Sequence, residues 1–94
     1  MKILAVCGMG LGSSLVLKLT LGKVLKQLQL KADVNVADIG TARSERADLI
    51  VTSAEFAERL ADMRVPVIVI KNYVDQKEMK DKLLAVLDHA KQGG

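Results

Sequence analysis

The sequence predicts a three-layer α/β fold, a four-stranded parallel sheet with helices on both faces, and three observations predict it. Short runs rich in Val, Ile and Leu alternate with longer stretches whose apolar residues recur at helical spacing. Half of the residues are hydrophobic, yet only Phe56 and Tyr73 are aromatic, the composition of a buried parallel sheet. A chain of 94 residues can enclose one core but has no room for a second lobe, so residues 1–94 are expected to form a single domain.

The elements follow in order. Lys2 to Cys7 reads as a buried strand, and Ser13 to Leu30 as a helix that aligns Leu17, Leu21, Val24, Leu25 and Leu28. Val34 to Ala37 is a short strand ending at Asp38-Ile39-Gly40, and the polar Thr41 to Ala47 segment reads as a turn or brief helix. Asp48 to Thr52 is a third strand. Ser53 is placed to cap a short helix that buries Phe56, Ala57 and Leu60 and turns Glu55, Glu58 and Arg59 to solvent. Pro66 opens the fourth strand, Val67 to Ile70, where its missing N–H is tolerated. Asp75 and Glu78 then have capping-box spacing ahead of a last helix with Met79, Leu83, Val86, Leu87 and Ala90 on one face. Right-handed crossovers restrict the topology, and the order 2-1-3-4 of a Rossmann-like sheet is the arrangement expected. In such sheets ligands bind beyond the carboxyl ends of the strands where the winding reverses, here the end of the first strand.

That point is occupied by Val6-Cys7-Gly8-Met9-Gly10-Leu11-Gly12-Ser13-Ser14. Free cysteine at a strand end is often an inert small hydrophobe. Three alternating glycines each cost conformational entropy, however, and what they provide is unobstructed backbone N–H groups at a helix start. The segment therefore reads as a cradle for a tetrahedral oxyanion with a sulfur nucleophile in its floor. An ordinary thiol has a pKa of ~8.5, and a helix dipole of up to ~2 kcal/mol lowers it by about one unit per 1.4 kcal/mol, toward the thiolate. Ser13 and Ser14 suit either a helix cap or a phosphate contact, and Met9 and Leu11 either anchor the loop or form an apolar rim for a docking protein.

Other chemistry is poorly supplied. The glycines only approximate a dinucleotide fingerprint, and no Gly-Lys-Ser/Thr ending of a P-loop is present. The lone histidine, His89, falls in the last turn of the final helix, a structural position, and no spacing suits a metal site, so neither metal nor cofactor is expected. With one cysteine there is no internal disulfide, and the opening apolar run is too short for a signal peptide or membrane span, so the expected location is cytoplasmic. The formal charge of +3 is unevenly spread: Lys2, Lys18, Lys23, Lys26 and Lys31 precede the first acidic residue, Asp33. This electropositive part is either a solvated helix face or an attractor of phosphorylated partners and acidic protein surfaces. The scarcity of aromatic residues argues against nucleic acid as a partner.

At the cysteine loop the chain resembles the IIB components of the bacterial phosphoenolpyruvate-dependent sugar phosphotransferase system, and Cys-Gly-Met-Gly-Leu-Gly-Ser-Ser looks most like the L-ascorbate group. Lys-Ile-Leu-Ala-Val-Cys at the start, Ala-Asp-Leu-Ile-Val-Thr-Ser at the third strand and Val-Ile-Val-Ile-Lys-Asn at the fourth extend the likeness over nearly the whole chain. The resemblance implies that Cys7 is a phosphocysteine, charged by the phosphohistidine of a IIA protein and discharged to a sugar held by the membrane-embedded IIC transporter. It makes Gly8, Met9, Gly10, Leu11, Gly12, Ser13 and Ser14 the phosphate-binding loop. It also implies association with the membrane-embedded IIC, while the short, covered sheet permits a monomer in isolation. The rival is a small cysteine phosphatase, which places an arginine six residues after the cysteine; here that position is Ser13. Asp38 and Asp48 are the candidate general acids for such a hydrolase, although capping and strand-edge solvation account for both.

Overall fold

The computed structural model describes residues 1–6 and 11–93, with side chains for 1–6 and 15–87. Strand β1 (Lys2–Val6) leads to helix α1 (Leu11–Gln27), β2 (Asp33–Ala37), α2 (Ile39–Ser44), β3 (Leu49–Thr52), α3 (Ala54–Ala57) with a 3₁₀ turn at Glu58–Leu60, β4 (Val67–Val69) and α4 (Gln76–Gly93). All pairings are parallel, and the sheet order is β2-β1-β3-β4, the order expected from the sequence.

β1 is central, and Ile3, Leu4, Ala5 and Val6 are all fully buried. Strand alternation sends Ile3 and Ala5 to one face, where they meet Leu17, Leu21, Met79 and Leu83 of α1 and α4. Leu4 and Val6 point to the other face and pack with Ala42 of α2 and Leu60 of the 3₁₀ turn. The first crossover thus covers one face and the next two the opposite one, which places the reversal of winding at the exit of β1.

Several boundaries differ from the sequence expectation for identifiable reasons. α1 begins at Leu11 rather than Ser13 and stops at Gln27 rather than Leu30. Its stop is set by Gln29, in the left-handed region at φ 56°. The Leu30 N–H donates to the Leu25 carbonyl and the Gln29 N–H to the Lys26 carbonyl, and Leu30 packs on the cluster containing Leu25, the signature of a Schellman cap. No glycine marks this turn, so the sequence gives no stop signal. The Thr41–Ala47 segment resolves into α2, which starts earlier, at Ile39, because the Asp38 carboxylate accepts the Thr41 N–H at 2.7 Å. Ser53 occupies the N-cap position of α3, but its side chain makes no cap bond; its carbonyl instead accepts from Phe56 and Ala57. Phe56 and Ala57 are half-buried, and Leu60 alone of the three expected residues is fully enclosed. Asp75 accepts the Glu78 N–H at 3.1 Å, the first half of the expected capping box, while the Glu78 carboxylate turns elsewhere.

Because a side chain in the left-handed region costs of the order of 1 kcal/mol, Gln29→Gly should stabilise the protein by about 0.5–1 kcal/mol in denaturant unfolding. Leu21→Ala, which empties a fully enclosed site between α1 and the sheet, should cost about 2–5 kcal/mol in the same measurement.

Candidate active site at the carboxyl edge of the sheet

The crevice is built from the chain segments that leave the carboxyl ends of the strands. β1 ends at Val6, and α1 begins at Leu11, so the expected loop is divided. Leu11, Gly12, Ser13 and Ser14 form the first turn of α1, with their side chains outside the described part of the structure; Cys7, Gly8, Met9 and Gly10 lie outside the described residues altogether. The first turn of α1 holds no acidic residue, so its free N–H groups and positive dipole end are not neutralised within the turn.

The exit of β1 is fixed from β3. Parallel register pairs Val6 with Thr52, and the fully buried Thr52 hydroxyl donates to the Val6 carbonyl at 2.7 Å. This bond sets the orientation of the peptide that leads directly into Cys7. In the sequence Thr52 marks only the end of a strand. The available signal was a hydroxyl residue closing an otherwise aliphatic run, where a buried polar group needs a partner. Ser53 follows Thr52 as Cys7 follows Val6, and its hydroxyl makes no capping bond.

The segment after β4 forms another part of the rim. Pairing continues one residue past the strand, with the Ile70 N–H on the Thr52 carbonyl at 2.8 Å. Glu78 then clasps the turn: its two carboxylate oxygens accept the N–H groups of Lys71 at 2.9 Å and Asn72 at 3.0 Å. Lys82 completes the clasp by donating to Glu78 at 2.7 Å and to the Val69 carbonyl at 2.6 Å. The Lys82 ammonium and the two backbone donors hold the Glu78 carboxyl down from an ordinary 4.5 to about 2.

Neither candidate general acid is placed to serve. Asp38 is at the carboxyl edge, but the Thr41 N–H holds its carboxyl below the usual range, in the ionised form. Asp48 precedes β3 at the opposite edge, where it accepts the Lys2 N–H at 2.7 Å and donates its own N–H to the Lys2 carbonyl at 2.8 Å. Capping and strand-end pairing therefore account for both. His89 lies in α4 with its side chain outside the described part. Among the described residues, no helix is long and apolar enough to cross a membrane.

Thr52→Val leaves the Val6 carbonyl buried without its donor and should cost about 1–3 kcal/mol in denaturant unfolding. Glu78 has a depressed folded-state pKa, so its contribution is complete above about pH 4.5 and is lost as pH falls toward about 2. Glu78→Ala should therefore destabilise the protein at neutral pH by about 1.5–3 kcal/mol, and the gap from wild type should shrink through that acid window.

Comparison with known proteins agrees with this architecture. A solved lactose-specific IIB component domain of the phosphoenolpyruvate:carbohydrate phosphotransferase system from Streptococcus pneumoniae superposes with a TM-score of 0.59 over 95% of this chain and 96% of that one, at 22% identity, a likeness of fold. An ascorbate-specific phosphotransferase-system EIIB component from Mycoplasma pneumoniae is 28% identical over 90 residues, 93% of this chain and 95% of that protein. The component of the same name from Salmonella typhimurium is 33% identical over 89 residues, 92% of this chain and 88% of that protein. Residues 2–85 match the family described as the lactose/cellobiose-specific IIB subunit of the phosphotransferase system. The chain therefore belongs to the IIB family and is a phosphotransferase component of the sugar phosphotransferase system.

Proposed function

We propose that this chain, acting as a single IIB domain, carries a phosphoryl group on Cys7 between a IIA phosphohistidine and a sugar held by a IIC transporter. The Cys7 thiolate attacks the phosphorus, the P–N bond to the histidine breaks and a P–S bond forms. A sugar hydroxyl then attacks the phosphorus: a P–O bond forms, the P–S bond breaks to restore the thiolate, and the hydroxyl proton leaves to solvent. Gly8, Met9, Gly10, Leu11, Gly12, Ser13 and Ser14 make up the loop that receives the phosphoryl oxygens. The observation that carries this reading is the pairing of a fixed β1 exit with an uncompensated helix start, separated by residues 7–10. Backbone donors at such a start lower a thiol pKa and spread phosphoryl charge in the transition state.

Carrying differs from hydrolysis in what is missing. A phosphatase needs a proton donor for the leaving group and a way to aim water, and the candidate general acid at this edge, Asp38, is held ionised by a backbone donor. The names of the relatives matched over most of their length, ascorbate-specific in both cases, support L-ascorbate as the sugar. The protein then works in the cytoplasm, as a monomer in isolation, and meets the membrane through IIC.

Incubation with phosphoenolpyruvate, the general phosphotransferase proteins and a cognate IIA should add one phosphoryl group by intact mass, and Cys7→Ser should add none. An unlabelled wild type in the presence of competent IIA overturns the carrier reading. Repeated turnover of an aryl phosphate by the chain alone would favour the phosphatase instead.

A further inference from the structure

The outward face of α1 has a composition that neither the core nor the phosphoryl chemistry requires. Leu15 and Leu19 are each 56% exposed and Val16 37% exposed, on the first turns after the cysteine loop. Leu15, Leu19, Gly22 and Lys26 succeed one another at spacings of four, three and four, which aligns them in one stripe along the helix. A Cβ added at Gly22 would meet nothing within 4 Å, so the stripe is open at its middle. Beside it a groove of about 750 Å³ between α1 and β2 is lined by Lys18, Lys23, Lys26 and Lys31 with Leu19 and Gly22, and by one carboxylate, Asp33. These four lysines are exposed, and among the described residues none of them forms an ion pair. A helix face that is merely solvated mixes its charges, as α4 does with the exposed Lys77 and Asp81. On α1 every charge has one sign.

We infer that this stripe is the docking surface for the phosphoryl-donor protein, which meets it with an acidic face that has an apolar centre. The inference rests on the carrier reading, since it is that reading which requires a donor. Three competing occupants fit less well. A second copy joined through a two-fold axis would place lysines against lysines. Cytoplasmic loops of a membrane transporter are themselves rich in Lys and Arg, which repels this face and favours the soluble donor over IIC. A helix that lies in a lipid surface keeps its apolar face along its length, whereas here the stripe turns from Leu15 and Leu19 to Gly22 and Lys26 after two turns. The apolar part begins next to the cysteine loop in sequence, and the lysines run from Lys18 between the two leucines to Lys31 beyond the helix end. That order suits a contact in which charge steers the donor and the leucines hold it beside the reacting sulfur.

The test uses ¹⁵N-labelled Cys7→Ser protein titrated with the unphosphorylated cognate IIA, so that docking is read without phosphoryl transfer. Amide shifts should concentrate between residues 15 and 31. Lys18→Glu/Lys23→Glu should raise Kd at least ~10-fold and flatten its dependence on salt. Leu15→Ser/Leu19→Ser should raise Kd while keeping the salt slope, and Lys77→Glu on α4 should leave Kd unchanged. All substituted positions are exposed, and unchanged thermal melts exclude misfolding. Shifts centred elsewhere, or a Kd indifferent to both α1 variants, overturn the proposal. So does binding to anionic phosphatidylglycerol vesicles through Lys18 and Lys23 with no binding to IIA. Wild-type protein that binds IIA through α1 yet takes no phosphoryl group would instead sink the carrier reading and leave the surface assigned.

Discussion

The structure depends on β1 being enclosed on both faces and between two neighbours at once. A strand with no solvent on any side must have its polar backbone paired, and every side chain from Ile3 to Val6 is committed to one core layer or the other. Its last carbonyl is the critical one, because the chain beyond it leaves the sheet. The Thr52 hydroxyl meets that carbonyl from the neighbouring strand, so the direction in which the chain departs toward Cys7 is set by a buried bond. A reactive group placed there inherits its position from the sheet.

The two edges of the sheet then take different work. At the amino edge, Asp48 and Lys2 exchange backbone and side-chain bonds, Asp33 donates its N–H to the Met1 carbonyl, and the Lys2 ammonium lies 3.1 Å from Glu45. These contacts hold the ends of β1, β2 and β3 level. At the carboxyl edge the acids serve the backbone: Asp38 caps α2, Asp75 caps α4, and Glu78 clasps the turn after β4. A carboxylate that accepts backbone N–H groups is stabilised as the anion and is a poor proton donor. Asp38 and Glu78 are thus held as anions at this rim, Asp38 by a backbone donor and Glu78 by Lys82 and two backbone donors.

What the sequence made legible is what apolar periodicity and topology control. The four strands, their order and the two core layers follow from alternation, crossover handedness and the spacing of Leu17, Leu21, Met79 and Leu83. What escaped was decided by individual polar atoms. The end of α1 depends on Gln29 accepting a conformation usually reserved for glycine. Glu78 has capping-box spacing, but its carboxylate reaches the N–H groups of Lys71 and Asn72, while the Asp75 N–H goes to the Asn72 carbonyl. Spacing along the chain reports which residues are near, and a turn folding back from β4 can offer a carboxylate two donors where the helix end offers one. The cysteine loop points to chemistry in the sequence because of its alternating glycines, and residues 7–10 lie outside the described structure.

α1 joins these two levels. Its inner face is fixed by the core, its start turns the positive end of the dipole toward the residues after β1, and its outer face exposes leucines at that same end. Covering the rest of a half-exposed leucine is worth about 1–2 kcal/mol, so two of them supply only a small part of a complex that also loses rigid-body freedom. Such a contact is short-lived by itself, and charge steering from four lysines raises the rate of encounter more than it prolongs the complex. A carrier that alternates between donor and acceptor needs that balance, since a partner held too tightly would block the second half of each cycle. On the proposed reading the same helix meets both needs, with its amide donors at its end and its exposed leucines and lysines along its side.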